Sequence, residues 1–158
     1  MHPALGPLAA LLGRWEGEGE GRWRGGEQFH YREWVSFSHS GKPFLAYSQR
    51  TIGDDGAPLH AETGFWRAVP DGSVEVVISH PIGVVEIELG RWQGSGLALR
   101  TSSLVCAPSA KPVTALERDL EVEGDLLRYR LRMATDGGEP ESHLRAELHR
   151  VPAPQEGG

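Results

Sequence analysis

The sequence lacks several features that mark common classes of protein. Only one of its 158 residues, Cys106, is a cysteine, which excludes an internal disulfide and a cysteine-based zinc site. No apolar run approaches the roughly 20 residues that cross a membrane as a helix, so we expect no membrane partner. The first twelve residues contain no lysine or arginine and no long apolar run. We therefore expect no signal peptide and a cytoplasmic location.

Positive charge and catalytic motifs are also scarce. The formal net charge is -6, and a nucleic-acid-binding face would need clustered basic residues, so no nucleic-acid partner is expected. The chain contains neither a Gly-x-Ser-x-Gly elbow nor the Gly-Lys-Ser/Thr ending of a phosphate loop. No His-x-His or His-x3-His pair has the spacing of a zinc site. The carboxylates alternate with apolar residues or lie in turns, so we expect them on solvated faces.

One short segment at the start of the chain has the periodicity of a helix. Leu5, Leu8 and Leu12 are spaced by three and four residues, and Gly13 follows them as a helix-ending residue. These features predict a short amphipathic N-terminal helix.

The rest of the chain alternates between apolar and polar residues, as β-strands do. Its 21 glycines and 11 prolines are spread as single turn residues. Val74, Val76 and Ile78 are predicted to share one face, and residues 85, 87 and 89 are assigned to an apolar face in the same way. About ten strands joined by short turns predict an all-β domain over residues 1–152. We expect an antiparallel up-and-down barrel, with residues 153–158 as a disordered tail.

Glycines alternate at the beginning of the predicted first strand. Residues 13–19 read Gly-Arg-Trp-Glu-Gly-Glu-Gly. Glycines at every second position remove the side chains from one strand face, which permits sharp coiling or close approach by another group. Trp15 is placed to plug the closed end of a barrel. This pattern indicates a lipocalin-like fold and carries no chemistry by itself.

Three of the seven histidines stand out because each lies near a strand end beside flexible residues. They are His60, His80 and His143, whereas His30 and His149 have charged neighbours on the same predicted face and are expected to be solvated. A lone histidine is more often a structural residue than a ligand. A site with one histidine would suit haem, which needs only one axial protein ligand.

Seven segments in this order and spacing together resemble the nitrobindins, a family of small haem-binding β-barrels. The glycine-tryptophan motif and the strand that contains His143 are the two ends of the match, which covers nearly the whole chain. The matching segments are residues 13–19, 37–43, 59–65, 75–78, 83–86, 133–135 and 143–148.

The resemblance implies a barrel that holds haem b near one mouth, with His143 as the axial ligand of the iron. It places His60 and Leu59 on the distal side of the haem. Members of the family keep the iron ferric, bind nitric oxide and isomerise peroxynitrite to nitrate. The resemblance therefore implies that the chain is a peroxynitrite isomerase whose partners are these small molecules.

The chain departs from the family pattern after the glycine motif. The family has a Thr beside the haem, and the segment Trp-Arg-Gly-Gly at residues 23–26 places Gly25 there. A wider pocket and weaker haem binding both remain open as consequences. Strict alternation also puts His143 on the face opposite Leu144, so a bulge or bend must turn His143 inward.

A second hypothesis is a non-enzymatic lipocalin-like barrel that carries a small apolar ligand, with weak or no haem binding. The short connection at residues 21–26 leaves no room for the two-helix lid of fatty-acid-binding proteins, which disfavours this hypothesis. The sequence does not fix the oligomeric state, and a homodimer remains open.

Overall fold

The structure is a computed structural model and describes residues 1–23 and 25–154. Residues 155–158 of the predicted tail lie outside the described residues. Within them the chain forms one 3₁₀ helix followed by ten strands. The helix spans Pro3–Leu11, and the strands are β1 Gly13–Arg22, β2 Gln28–His39, β3 Phe44–Gly53, β4 Pro58–Ala68, β5 Ser73–His80, β6 Val84–Gln93, β7 Gly96–Cys106, β8 Val113–Glu123, β9 Leu126–Thr135 and β10 Glu141–Val151.

The described strands form a closed antiparallel barrel. Each strand pairs with its neighbours in sequence, and β1 closes the ring by pairing with β10, from Arg14 opposite Val151 to Gly21 opposite Leu144. Short turns make this order the simplest one, and closure leaves no unpaired edge strand. The predicted all-β, ten-stranded up-and-down barrel is confirmed.

The alternating glycines of β1 allow aromatic rings to lie flat against the strand. A Cβ added to Gly19 would be 2.3 Å from the ring of Tyr31, and one added to Gly21 would be 2.2 Å from the ring of Phe29. Real Cβ atoms do not approach so closely, so the sequence needs glycine at both positions. The predicted close approach to this face is confirmed.

The N-terminal helix closes one end of the barrel, but its periodicity differs from the prediction. Leu5, Leu8 and Leu11 are buried, whereas Leu12 follows the helix as its cap residue and is only half-buried. Gly6, with a φ of +51°, divides the segment into two pieces; Leu8 and Leu11 share one face of the second piece because a 3₁₀ helix has three residues per turn. Trp15 is fully buried and its Nε1 donates a hydrogen bond of 2.8 Å to the carbonyl of Leu11. The predicted tryptophan plug is therefore present.

Strand β6 is oriented opposite to the prediction. Ile87 is 39% exposed, whereas Glu86 and Glu88 are 1% and 0% exposed. The reason is the register with β5, in which Glu86 pairs with Ile78 and Glu88 with Val76 on the interior face. The apolar residues of β6 that were assigned to the core therefore lie on the outside of the barrel.

Among the described residues, no helix has the length and apolar character needed to cross a membrane.

Candidate functional site

The up-and-down topology collects the three singled-out histidines at one end of the barrel. His60 lies near the start of β4, His80 ends β5, and His143 lies near the start of β10. The N-terminal helix covers one end of the barrel. At the opposite end, the odd-numbered strands finish and the even-numbered strands begin. We call this end the open end.

A bulge in β10 produces the bend that the sequence requires for His143. Ser142 pairs with Arg132 and Leu144 with the next residue, Leu131, so His143 is the extra residue of the strand. An extra residue re-aims its side chain relative to the strand alternation. The imidazole is half-buried and lies edge-on to the ring of Phe29, with 6.3 Å between centroids. Since Phe29 covers the glycine face of β1, His143 is turned toward the barrel mouth.

Hydrogen bonding fixes the orientation of the His143 ring. Its Nδ1 donates to the backbone carbonyl of Arg22 over 3.1 Å, and Nε2 has no partner among the described residues. Burial lowers the pKa of His143, with smaller contributions in the same direction from His60 and Lys111, although the hydrogen bond to Arg22 acts to raise it. The neutral imidazole, with its proton on Nδ1, therefore presents the Nε2 lone pair that a metal ligand needs.

Aromatic side chains stand beside His143. The ring of Trp23 stacks on that of Phe29 at 4.6 Å and lies 6.1 Å from the imidazole of His143. Trp23, Gly25 and His143 share a cleft of about 120 Å³. The φ of Gly25 is +108°, and no atom lies within 4 Å of an added Cβ. The loop therefore uses a backbone conformation that disfavours threonine, and Trp23, which was not predicted from the sequence, lines the cleft beside His143.

The remaining predicted residues are placed as follows. His60 belongs to the interior, as described next, whereas Leu59 is 39% exposed and its Cδ atoms lie against Gly53, 3.5 Å from the Cβ position there. The structure does not bring Leu59 to the cleft beside His143. His30 and His149 are exposed, as the sequence predicts.

His60 and His80 meet Glu62 just inside the open end. His60 Nε2 lies 3.2 Å from His80 Nδ1, and Glu62 Oε2 lies 3.3 Å and 3.4 Å from these two atoms. Glu62 and His80 are buried, and the His60 side chain is 26% exposed. Part of this cluster could have been predicted from the sequence, because residues 60 and 62 of one strand share a face. The contribution of His80 depends on pairing between strands.

A layer of buried polar residues crosses the middle of the barrel, contrary to the expectation that the carboxylates are solvated. Its centre is Arg118, which donates to both oxygens of Glu62 over 2.8 Å and 3.0 Å and to Glu88 over 2.9 Å. Burial alone would raise the pKa of Glu62, yet Arg118, with His60 and His80, holds it well below its usual range. A buried carboxylate is stable only with such partners, so the layer depends on Arg118.

Glu33 forms the other part of this layer. It accepts hydrogen bonds from Tyr129 over 2.6 Å and from Gln49 over 3.0 Å, and the hydroxyl of Tyr129 contacts that of Tyr31 at 2.9 Å. Burial raises the pKa of Glu33 to about 7, although both hydrogen bonds act to lower it. Glu33 is therefore largely protonated below neutral pH.

This pKa predicts that the barrel is stabilised by protonation of Glu33. Because the folded-state pKa of about 7 exceeds the unfolded value of 4.5, the stabilisation is fully present below the unfolded pKa. It is lost as the pH rises through 7, and amounts to on the order of 3 kcal/mol. The measurement is guanidinium unfolding between about pH 5 and pH 9. Glu33→Gln should reduce this decline and leave the part due to buried Glu88, whose pKa burial raises to about 8. Glu16→Gln, at an exposed position of β1, should not reduce it, and equal pH dependence in both variants would contradict the assignment.

The described residues form a closed barrel, and at its open end His143 is held through Nδ1 while its Nε2 has no partner among them. This is the arrangement expected of a β-barrel that binds a small ligand. The sequence model of the THAP4-like, heme-binding beta-barrel domain matches residues 4–150. The chain belongs to this family, and its resemblance to the nitrobindins is confirmed.

Individual relatives match over nearly the full length. Peroxynitrite isomerase 2 of Mycobacterium marinum is 48% identical over 155 residues, which cover 95% of this chain and 96% of the relative. Peroxynitrite isomerase 1 of Mycobacterium tuberculosis strain H37Rv is 46% identical over 158 residues, with the same two coverages. The crystal structure of Rv2717c from M. tuberculosis superimposes with a TM-score of 0.88 at 44% identity and covers 96% of this chain and 99% of that one.

Proposed function

We propose that the chain is a peroxynitrite isomerase that binds ferric haem b at the open end, with His143 as the axial ligand. The observation that carries this proposal is the hydrogen bonding of the two ring nitrogens of His143. Its Nδ1 is held by the Arg22 carbonyl, and its Nε2 has no partner among the described residues. A haem-ligating histidine needs one fixed ring nitrogen and one free lone pair, so the residues present fit the group. The names of the relatives support the reaction.

Bound ferric haem supplies a Lewis-acidic iron that polarises an oxygen of peroxynitrite or binds nitric oxide. The chain contributes the surroundings. His143 would hold the iron through Nε2, and its hydrogen bond from Nδ1 to the Arg22 carbonyl would set the orientation and basicity of the ring. Trp23 and Phe29 supply an apolar wall that limits contact of reactive fragments with water. We assign His60 to the distal side, because its side chain, 26% exposed, is reached from the open end; Leu59, which is farther out, is a weaker candidate.

The cleft beside His143 is small for a macrocycle. Its volume is about 120 Å³, whereas pockets for drug-sized ligands span roughly 300–1,000 Å³. We infer that the side chain of Trp23, which is 44% exposed and stacks on Phe29, moves outward when haem binds. Gly25 and Gly26 lie close by in the chain and give its backbone conformational freedom.

Nitrate formation from peroxynitrite tests the reaction. The haem-loaded protein should accelerate peroxynitrite decay and raise the nitrate-to-nitrite ratio in stopped-flow and ion-chromatography measurements. Haem-loaded protein that leaves both quantities at the values of free haem would contradict the proposed activity.

The alternative of an apolar-ligand carrier is disfavoured by the barrel interior. The cavity lined by Glu33, Glu62 and Arg118 measures about 30 Å³, enough for about one water molecule. An extended apolar molecule would have to displace this charged layer. The cytoplasmic location remains a prediction.

We further propose that the chain is a homodimer formed through the outer face of β4–β7. Two rows of paired residues cross these strands without a charged side chain. One row runs from Thr63 through Val85 to Val105, and the other from Phe65 through Ile87 to Ser103. Val105, Val85 and Phe65 are 66%, 51% and 48% exposed. Two copies that each carry a formal charge of -6 can meet here without contact between like charges.

Light scattering after size exclusion tests this interface. The wild type should have the mass of a dimer, and Val85→Asp should have the mass of a monomer because it buries a charge at the interface. His149→Asp places the same charge on β10, far from this face, and should remain dimeric. A monomeric wild type, or dimeric Val85→Asp, would overturn the assignment.

A further inference from the structure

The contacts among His60, Glu62 and His80 cannot all be satisfied by protons. The atoms His60 Nε2, Glu62 Oε2 and His80 Nδ1 lie within 3.2–3.4 Å of one another. Each atom either donates a proton or presents a lone pair. Because there are three atoms and only these two possibilities, at least two of the atoms must both donate a proton or both present a lone pair. The contact between those two atoms is then repulsive. A cation between them would receive a lone pair from all three.

The dimensions of the triangle fit a transition-metal ion. Zinc binds histidine nitrogen and carboxylate oxygen at 2.0–2.2 Å, so tetrahedral coordination separates the ligand atoms by about 3.3–3.5 Å. The observed separations are 3.2, 3.3 and 3.4 Å. Two imidazoles and one carboxylate are also a common donor set for zinc and ferrous iron.

The neighbours of the triangle complete the pattern of a metal site. His80 Nε2 and both carboxylate oxygens of Glu86 are buried without a hydrogen bond among the described residues, and Nε2 lies 3.7 Å from Glu86 Oε1. If His80 Nδ1 binds a metal, the ring proton must sit on Nε2, where it faces Glu86. Metal-bound histidines commonly donate their second ring nitrogen to a carboxylate in this way. Arg118 fixes Glu62 by donating to Oε1 over 2.8 Å and to Oε2 over 3.0 Å, which leaves Oε2 a second lone pair for the ion.

Access to the triangle comes from the open end. The side chains of Glu62 and His80 are 3% and 4% exposed, whereas that of His60 is 26% exposed. An ion can therefore enter past His60 and keep a coordination position for water or another small ligand.

We propose that His60, Glu62 and His80 bind one divalent transition-metal ion inside the open end of the barrel, in addition to the haem assigned to His143. The site goes beyond the proposed function. It shares His60 with the distal assignment made above, but none of its three ligand atoms belongs to His143, so zinc binding and haem binding are tested separately. An ion there would also fix the orientation of His60.

Calorimetric titration of the haem-free, metal-stripped full chain with zinc chloride tests this proposal. The wild type should bind one equivalent, and its unfolding temperature should rise with zinc concentration. His60→Gln and His80→Gln should each weaken zinc binding at least about tenfold. His30→Gln and His149→Gln remove exposed histidines and should bind zinc as the wild type does.

Cobalt titration of the wild type gives a second measurement that needs no variant. Cobalt(II) bound by two imidazoles and a carboxylate should develop visible absorption bands that saturate at one equivalent and disappear on addition of zinc. His143→Gln should retain zinc binding while it loses haem binding, which separates this site from the haem site.

Three results would overturn the proposal. The first is a wild type that binds no zinc, or cobalt bands that do not saturate at one equivalent. The second is unchanged affinity in both His60→Gln and His80→Gln. The third is loss of zinc binding in His143→Gln, which would place the ion at the haem site. A wild type that binds zinc but no haem would contradict the proposed function and leave the metal site intact.

Discussion

His143→Ala should lose haem binding while the barrel stays folded. The substitution removes the nitrogen lone pair proposed to hold the iron, and it leaves the interior layer and the closed end intact. Changes to residues that only support a metal ligand typically cost 10–100-fold in affinity, so removal of the ligand should cost at least about 100-fold. Titration with ferric haem, followed at the Soret band, measures this loss.

His149→Ala is the matched control, because His149 lies on the same strand with its side chain 67% exposed. Its haem affinity should equal that of the wild type. Imidazole added to His143→Ala should restore part of the Soret band by occupying the vacated position. An unchanged titration in His143→Ala, or an equal loss in His149→Ala, would remove His143 from its proposed role.

Arg118→Met should destabilise the barrel by about 3–5 kcal/mol at neutral pH. Methionine keeps much of the side-chain volume but leaves Glu62 and Glu88 without their shared cation. A loss of this size is a large fraction of the 5–15 kcal/mol that stabilises a typical domain. The destabilisation should shrink as the pH falls, because Glu62 in the variant can then be buried in its neutral form.

The control for this prediction is Arg128→Met, which breaks an ion pair with Glu147 on the outside of the barrel. The two side chains are 48% and 52% exposed, and such surface pairs contribute little to stability. Guanidinium unfolding of both variants at pH 5 and pH 7 makes the comparison. Equal destabilisation by the two substitutions would contradict the account of the polar layer.

The barrel could be predicted from the sequence because alternation and turn residues specify it locally. The glycines of β1 indicated close packing against one face, which Tyr31 and Phe29 provide. The N-terminal helix was predicted with the wrong periodicity because spacings of three and four fit an α-helix. Its 3₁₀ geometry became visible only through the burial of Leu11.

The polar layer was missed although the sequence contains a signal for it. Glu33 lies in phase with Tyr31 and Val35 on β2, and Arg118 lies in phase with Leu116 and Leu120 on β8. A charged residue at an interior position is usually a reason to doubt the strand assignment. Here each charge has a partner on another strand, and that pairing cannot be read from one strand alone.

Strand β6 shows the limit of alternation. Its charged and apolar residues alternate cleanly, so either face can be the interior one. The register with β5 decides in favour of Glu86 and Glu88, and Arg118 makes their burial possible. The bulge at His143, by contrast, was specified as a condition from the sequence and is present, since strict alternation left no other way to turn the side chain inward.

The visible spectrum of freshly purified protein, followed by titration with ferric haem, decides whether this barrel is a haem protein. A Soret band is expected that saturates at one haem per chain, with reduction and nitric oxide each shifting the band. A colourless protein that develops no saturable Soret band on titration would contradict the assignment of this barrel as a haem protein.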